Sequence, residues 1–338
     1  MAYRVAVAGA TGAVGREIIK TLAERNFPVS EVVALASARS VGKEISFGEK
    51  TVLKCRNLET FDFAGTDIGL FSPGAAISAV HAPRAAAAGC VVIDNTSHFR
   101  MDPDIPLIIP EVNPQHLGLF RKRRIIANPN CSTMQLMVAL APIHRKVGIE
   151  RINIATYQSV SGTGRRALEE LGKQTAALLN FQSITPKVYP VQIAFNVIPH
   201  GGDFLDNGYT SEEMKLVWET RKILGDESIQ VNATVVRVPV FYAHSEAVHI
   251  ETRQKITADE VRALLEAAPG VEVVDERKAG GYPTPVTHAS GRDPVFVGRI
   301  REDISHPRGI DLWVVSDNIR KGAALNAVQI AELIAAEA

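Results

Sequence analysis

Apolar residues in the first third of the chain form short unbroken runs, separated by amphipathic or alanine-rich segments. Runs of this kind are typical of strands that are buried on both faces of a sheet. We expect strands at residues 4–8, 31–37, 68–71, 91–94 and 107–109. Residues 16–26, whose apolar positions follow helical spacing, and the alanine-rich residues 75–88 are expected to be helices. This alternation predicts an α/β architecture that begins with a Rossmann-like dinucleotide-binding domain.

The pattern changes in the second part of the chain. Strands are expected there at residues 151–160, 234–241, 248–253, 295–301 and 310–316. The last two flank a His-Pro-Arg-Gly turn, which favours an antiparallel hairpin. We therefore predict an α+β domain with a mostly antiparallel sheet, followed by a helix. The predicted boundaries are 1–127 for the first domain, 128–317 for the second, and 318–338 for a C-terminal segment that packs back on the first.

Composition limits the partners and the compartment. Lys plus Arg equals Asp plus Glu at 37 each, so net charge gives no general attraction to nucleic acid or to an anionic membrane. Three widely spaced cysteines indicate a reducing compartment and argue against a disulfide framework. The longest apolar runs are shorter than the ~18 residues needed to span a bilayer. The chain also enters a strand at once, without the apolar region of a signal peptide. We expect a cytoplasmic enzyme with no membrane or nucleic-acid partner.

Cys131 lies where the segment Asn-Pro-Asn-Cys-Ser-Thr enters an apolar helix. Unpaired N–H groups and the positive end of the helix dipole stabilise a thiolate at such a position, and the same N–H groups can bind an oxyanion. These features favour Cys131 as a nucleophile that attacks a carbonyl group. The alternative is a small buried apolar residue, the usual fate of a free cysteine.

The turn from Gly9 to Gly15 has the spacing G-x-x-G-x-x-G between a strand and a helix. Glycine lets the backbone approach a pyrophosphate, and the helix N-terminus supplies N–H donors. An NAD site usually has an acidic residue at the end of the second strand, but this chain has Ser37, Arg39 and Ser40 there. A cation with two hydroxyl groups suits a 2′-phosphate, so we predict NADP. The alternative is that Arg39 is only a solvated loop residue.

Arg237 and His244 form a third candidate site. His244 has the chemistry of a general acid/base, and Arg237 that of a bidentate carboxylate ligand. One regular strand would place the two on opposite faces, so the chain must bend between them if both reach one pocket. The alternative for His244 is an ordinary packed or surface histidine. No His/Cys spacing resembles a metal site, and we expect none.

Five segments together resemble the aspartate-β-semialdehyde dehydrogenase family over nearly the whole chain. They are GATGAVG, ANPNCSTMQLMVAL, ATYQSVSGTG, RVPVFYAHSEAV and DNIRKGAALNAVQIAE, in that family's order. The resemblance implies NADPH-dependent reductive dephosphorylation of L-4-aspartyl phosphate to L-aspartate 4-semialdehyde, in lysine, threonine and methionine biosynthesis. It also implies a homodimer that forms through the second, catalytic domain, with inorganic phosphate as a ligand.

The resemblance also implies residue roles. Cys131 is expected to carry an acyl thioester, Gln158 to position the substrate and His244 to transfer protons. Arg237 and Glu212 are expected to bind the substrate's α-carboxylate and α-ammonium groups. Arg100 and Lys215 are the expected phosphate ligands. The expected cofactor positions are Gly9, Thr11, Gly12, Ala13, Val14, Ser37, Arg39, Ser40, Ser161, Gly162 and Asn318.

Two other functions stay open at this point. N-acetylglutamyl-phosphate reductase shares the reaction type, but its substrate nitrogen is neutral and would leave Glu212 without a cation to bind. A non-catalytic nucleotide-sensing protein on the same scaffold would need neither Cys131 nor His244. Glu212 and Lys215 are three residues apart, so on a helix they share a face and are open to a simpler interpretation as a surface ion pair.

Overall fold

Up to residue 130, the computed structural model, which describes residues 2–337, contains buried strands, helices and a small, mostly exposed pair of antiparallel strands. The elements there are β1 (Tyr3–Ala8), α1 (Ala13–Glu24), β2 (Val29–Ala36), β3 (Glu44–Phe47), β4 (Thr51–Lys54), β5 (Arg56–Asn57), β6 (Ile68–Phe71), α2 (Ala75–Ala87), β7 (Val91–Asp94) and β8 (Ile125–Ala127). Six strands form one sheet in the order β5-β2-β1-β6-β7-β8, with every neighbouring pair parallel. The predicted Rossmann-like architecture is confirmed.

Strand order reverses at β1, because β2 lies on one side of it and β6 on the other. In doubly wound sheets this is where ligands bind, at the carboxyl ends of the strands. Helix α1 follows β1 directly and buries Ile18, Ile19 and Leu22 completely. The predicted strand at 107–109 is wrong, since Leu107 makes only an isolated bridge to Ala127.

The second unit begins with a long helix. Its elements are α3 (Cys131–Val147), β9 (Ile149–Gln158), α4 (Arg165–Leu179), α5 (Ser211–Leu224), β10 (Gln230–Arg237), β11 (His244–Thr252), α6 (Ala258–Glu266), β12 (Val271–Val273), β13 (Val295–Glu302) and β14 (Gly309–Ser316). The strands form a sheet in the order β10-β9-β11-β14-β13-β12. The three inner pairs are antiparallel, including the predicted hairpin of β13 and β14, while the edge pairs β10–β9 and β12–β13 are parallel. The sheet is therefore mixed.

Helix α3 packs on one face of this sheet, against β9, β11, β13 and β14. Register places Gln158 beside Arg237, and Glu246 beside Thr156. Gln158, Thr156 and Glu246 are buried. The opposite face carries Tyr157 and Trp313, whose ring centroids are 5.5 Å apart. This arrangement brings the amino-terminal turn of α3 to the same sheet face as the ends of β9 and β10.

The final helix, α7 (Leu325–Glu337), belongs to the first unit, which comprises residues 2–130 and 322–337. Ala327, Val328 and Ile330 join the same hydrophobic core as α1. The C-terminal segment was predicted to start at 318, but residues 318–321 fall in the second unit. Nearby hydrogen bonds give the physical reason, because Arg320 bonds to Asp293 there.

No helix among residues 2–337 is both long enough and apolar enough to cross a membrane.

Asn326 joins α7 to the parallel sheet of the first unit. Its amide nitrogen donates to the carbonyl of Ile108 at 3.0 Å and to the side-chain oxygen of Asn128 at 2.6 Å. We predict that Asn326→Leu lowers the free energy of unfolding by about 1–3 kcal/mol, because it leaves buried acceptors without a donor. The measurement is urea unfolding. Gln329→Ala, which removes a partly exposed hydrogen bond to Glu111, is the control; equal losses in both variants would contradict the assignment.

Candidate active site

The turn after β1 leaves no room for side chains at two glycines. Gly9 has a φ of +83°, and a Cβ on it would lie 2.5 Å from the carbonyl oxygen of Ser72. A Cβ on Gly15 would lie 2.2 Å from the carbonyl oxygen of Gly9. Helix α1 begins at Ala13, so Gly15 lies in its first turn, and no side chain caps its first N–H groups. Backbone donors therefore surround a tight turn, an arrangement suited to a pyrophosphate.

At the carboxyl end of β2, residues 37–39 are exposed and Ser40 is partly exposed. Ala38–Ser40 forms a single 3₁₀ turn that presents Arg39 to solvent. Residues 37–43 contain two cations and no carboxylate. The local chemistry therefore fits a dinucleotide that carries a 2′-phosphate.

Arg100, a predicted phosphate ligand, is also in the first unit and is 7% exposed. Its Nε donates to the carbonyl of Asn128 at 2.9 Å and its Nη2 to that of Asn95 at 2.9 Å. These bonds fix the guanidinium group near the carboxyl ends of β7 and β8. A positive charge is thus held in place by backbone carbonyls.

In the second unit, Cys131 is the first residue of α3 and is partly exposed, whereas Cys55 and Cys90 are buried. The next residue, Ser132, accepts a hydrogen bond of 2.9 Å from the Gln158 amide at the end of β9. This bond ties the first turn of the helix to the strand. It therefore fixes the position of Cys131 relative to β9.

Arg237 and His244 are both buried and both contact Ser159, the residue after β9. Arg237 Nη1 donates to the Ser159 carbonyl at 2.8 Å, and the Ser159 N–H donates to His244 Nδ1 at 3.0 Å. The chain leaves β10 at Arg237, crosses the end of β9 and returns as β11, with Ala243 at a φ of +69°. The bend required by the sequence argument is present.

The side-chain oxygen of Asn318 accepts three hydrogen bonds that hold the neighbouring loops. The donors are the hydroxyls of Ser159 and Ser161 and the N–H of Ala243, at 3.0–3.1 Å. Gly162 lies beside this cluster, where a Cβ would be 3.2 Å from Arg237 Nη1 and 3.4 Å from His244 Nε2. A side chain at position 162 would therefore crowd both groups.

His244 is neutral in this environment. Complete burial, and then the nearby charge of Arg237, lower its pKa from 6.5 to about 3, against an opposing effect of Glu212. Since Nδ1 accepts from Ser159, the ring proton is assigned to Nε2. Within the described part of the chain, Nε2 has no hydrogen-bond partner. His244 thus presents one buried donor beside Gly162.

Glu212 and Lys215, on the first turns of α5, form an ion pair of 2.6 Å. Their side chains are 15% and 27% exposed, so this is a partly buried pair. Glu212 also raises the pKa of His244, which shows that its carboxylate lies within electrostatic range of the histidine. The pair therefore belongs to the same neighbourhood as Arg237 and His244.

Contacts of the loops around Ser159 bring together six of the predicted residues, namely Gln158, Arg237, His244, Ser161, Gly162 and Asn318. Arg100, Arg39 and the glycine turn belong to the other unit. The sequence analysis missed Ser132 and Ser159. Ser159 acts through its backbone, which no residue pattern reveals, but its position directly after Gln158 is a usable signal. No group of three or more potential metal ligands is found among residues 2–337.

Comparisons with known proteins agree with both halves of this description. Residues 4–119 match the family described as semialdehyde dehydrogenase, NAD binding domain. Residues 140–321 match semialdehyde dehydrogenase, dimerisation domain. The two matches cover most of the chain and divide it close to the structural boundary.

Full-length relatives are similar throughout. The chain is 58% identical to an aspartate-semialdehyde dehydrogenase of Shewanella sp. (strain DB6705), over 98% of this chain and 97% of that one. A crystal structure of aspartate semialdehyde dehydrogenase II from Vibrio cholerae, complexed with ASA, superposes with a TM-score of 0.97 at 56% identity, covering 99% and 98%. The Candida albicans enzyme with NADP gives 0.75 at 25% identity, covering 99% and 98%.

The lowered pKa of His244 predicts a pH dependence of stability. The unfolded chain binds a proton here below pH 6.5, whereas the folded chain stays neutral to about pH 3, so stability falls as pH drops through this window. We predict that His244→Asn loses about 2 kcal/mol less free energy of unfolding than the wild type between pH 7 and pH 5. Urea unfolding at both pH values measures this difference. Identical losses would show that His244 is protonated in the folded chain.

Proposed function

Because this chain belongs to the aspartate-semialdehyde dehydrogenase family, we propose that residues of its second unit carry out that family's reaction through a thioester on Cys131. The reaction is the NADPH-dependent reductive dephosphorylation of L-4-aspartyl phosphate to L-aspartate 4-semialdehyde, a step of amino-acid biosynthesis. It runs in reverse when phosphate is supplied. The observation that carries the proposal is Cys131 at the start of α3, where Ser132 bonds to Gln158.

Cys131 supplies the nucleophile. Its thiolate attacks the carbonyl carbon, the bond to phosphate breaks, and a thioester remains on Sγ. The N–H groups at the start of α3 stabilise both the thiolate and the oxyanion that forms during attack. NADPH, when bound, supplies the hydride that reduces the thioester. Release of the aldehyde then returns the electron pair to the Cys131 sulfur.

The cofactor is NADP, and the first unit provides the residues proposed to hold it. Gly9, Thr11, Gly12, Ala13 and Val14 offer the pyrophosphate a turn without side-chain obstruction and a helix N-terminus. Ser37, Arg39 and Ser40 are proposed to bind the 2′-phosphate. The further proposed cofactor contacts, in the second unit, are Ser161, Gly162 and Asn318.

His244 holds and moves the proton. The Nε2 N–H of the neutral ring can donate a hydrogen bond to the substrate oxygen as negative charge develops there, and transfer of a proton requires the protonated imidazolium form. Burial is the main reason that the pKa of the ring is about 3, and the neighbouring Arg237 charge is the second. An α-carboxylate bound to Arg237 would neutralise that charge and remove this second cause.

Arg237 and Glu212 are proposed to orient the substrate through its two charged groups. The planar guanidinium of Arg237 binds the α-carboxylate, and Glu212 binds the α-ammonium group. Arg100 and Lys215 are proposed as phosphate ligands. The ion pair between Glu212 and Lys215 keeps both charges in place before either ligand arrives. A substrate with an acylated nitrogen would leave Glu212 with no cation, and the relatives likewise do not favour the N-acetylglutamyl-phosphate or non-catalytic alternatives.

The match to a dimerisation domain supports a homodimer. We propose that the part of the opposite sheet face that carries Tyr157 and Trp313 forms the interface, because these two aromatic side chains are partly exposed there and would be buried against a second copy. A cytoplasmic location stays a prediction. It is consistent with three free cysteines and with a biosynthetic activity.

We predict that Cys131→Ala abolishes phosphate-dependent NADPH formation from L-aspartate 4-semialdehyde, while NADPH binding stays within about twofold, because only the thiol forms the intermediate. Initial rates and fluorescence titration of NADPH measure the two properties. Cys55→Ala is the matched control, as Cys55 is buried in the first unit. Appreciable phosphate-dependent turnover by Cys131→Ala would remove the thioester mechanism. Turnover of N-acetylglutamate semialdehyde in preference to the aspartate compound would replace the substrate.

We predict that Arg39→Ala weakens NADP binding by about 1.5–3 kcal/mol and leaves NAD binding nearly unchanged, because a charged hydrogen bond to the 2′-phosphate is lost. Calorimetric titration with each cofactor measures the difference. Lys20→Ala, which removes an exposed cation on α1, serves as the control for general charge effects. Equal weakening of both cofactors would mean that Arg39 supports the loop and does not contact the phosphate.

A further inference from the structure

Glu246, Gln135 and Thr156 are among the buried polar side chains of the second unit that make no hydrogen bond of regular geometry. Glu246 and Thr156 are 0% exposed and Gln135 is 1% exposed. Both carboxyl oxygens of Glu246, both polar atoms of Gln135 and the Thr156 hydroxyl lack such a bond among the described residues. Buried polar groups are seldom left in this state, so their shared location calls for a functional explanation.

Gln135 and Glu246 lie on the same two elements as Cys131 and His244, a short distance farther along each element. Gln135 follows Cys131 by four positions on α3, so both lie on one face of the helix, a turn apart. Glu246 follows His244 by two positions on β11 and lies on the same sheet face. Helix α3 packs directly on β11, and Thr156 pairs with Glu246 in the neighbouring strand. The polar pair therefore spans the same two elements that carry the proposed nucleophile and acid/base.

The charge state of Glu246 follows from its surroundings. Complete burial raises its pKa well above the ordinary value, and the Gln135 amide offsets only part of that effect. Gln135 is near enough to affect the pKa of Glu246, but the two side chains do not form a hydrogen bond of regular geometry. A buried carboxylate is strongly disfavoured, so burial favours the neutral acid form of Glu246. Its O–H can then donate to the Gln135 side-chain oxygen.

We propose that Glu246 and Gln135 act as paired positioning residues that fix the first turn of α3, with Cys131, relative to His244 on β11. Apolar packing alone tolerates small shifts of a helix on a sheet, whereas a directional polar contact in a dry interior holds one arrangement. A displacement of about 1 Å at a reacting group can lower the rate about 100-fold. The proposal rests on the roles proposed above for Cys131 and His244.

The test combines conservative and apolar substitutions. Glu246→Leu and Gln135→Leu each leave one buried polar group without its partner, and we expect kcat to fall about tenfold or more with KM for the semialdehyde within about twofold. Glu246→Gln stays neutral and keeps a donor, so it should restore kcat to within about threefold of the wild type. Ser245→Ala, which removes a buried unpaired hydroxyl from the other face of β11, is the control and should not change kcat.

A double-mutant cycle separates positioning from general damage. Gln135→Leu with Glu246→Leu removes both polar groups, so its kcat should exceed the value expected from multiplying the two single losses. Thermal unfolding of each variant shows whether the fold is intact. Additive losses, an unchanged kcat in folded Glu246→Leu, or a Glu246→Gln variant as impaired as Glu246→Leu would each overturn the proposal.

Infrared difference spectra of wild type and Glu246→Gln at pH 7 provide a readout that is independent of catalysis. The neutral acid should give the carbonyl stretch of a protonated carboxyl group, which the variant lacks. A carboxylate band instead would overturn the neutral pair even if Cys131 is the nucleophile. Conversely, if Cys131→Ala keeps its activity while the band of the protonated carboxyl group is present, the proposed thioester function is wrong but the interaction between Glu246 and Gln135 stands.

Discussion

The site in the second unit depends on the backbone of Ser159, because both of its polar groups are used. The carbonyl holds Arg237 from the side of β10, and the N–H holds His244 from the side of β11. If β9 ended at another residue, the Arg237 and His244 side chains would both lose these hydrogen bonds. The same contacts bear on the chemistry, since burial and then the nearby guanidinium lower the pKa of His244, and Nε2 is left as the donor without a partner among the described residues.

Two backbone features allow this arrangement. Ala243 adopts a left-handed φ of +69°, which costs a non-glycine residue about 1–2 kcal/mol, and its N–H is held by Asn318. Gly162 has no side chain where one would press on Arg237 and His244. The first unit also depends on glycine, because a side chain on Gly9 would meet the backbone of Ser72 and one on Gly15 would meet the backbone of Gly9. Glycine therefore permits a close approach in both units, to backbone in the first and to charged or reactive side chains in the second.

The sequence predicted the elements whose residues serve only packing. Strands β6 and β7 have the predicted ends, because an apolar run between turn residues leaves little choice of boundary. Strand β10 lies earlier than predicted, at Gln230–Arg237, and β11 begins earlier than predicted, at His244. In β11, the buried polar side chains of His244 and Glu246 interrupt the apolar pattern. The parallel edge pairs of the second sheet were not predicted, because hydrophobic periodicity indicates which face of a strand is buried but not which strand it pairs with.

The residues of the candidate site also fall into those that the sequence indicated and those that it did not. Cys131, His244 and Arg237 were predicted from residue type and context and stay predictions, whereas the bend that joins the last two, which strand geometry required, is present in the structure. Ser159 and Ser132 were not identified, because their contribution is a hydrogen bond that exists only after β9, β11 and α3 have packed. Glu246 shows the limit most clearly, since a glutamate in sequence gives no sign that it is completely buried.

The central claim is covalent catalysis by Cys131, and rapid-quench peptide mass spectrometry tests it most directly. Wild-type protein mixed with L-4-aspartyl phosphate in the absence of NADPH should release phosphate and acquire one aspartyl group on the peptide that contains Cys131. Cys55 and Cys90 should stay unmodified, because burial raises the pKa of both thiols, that of Cys90 to about 12. Phosphate release without an adduct, or an adduct on Cys55 or Cys90, would contradict the account.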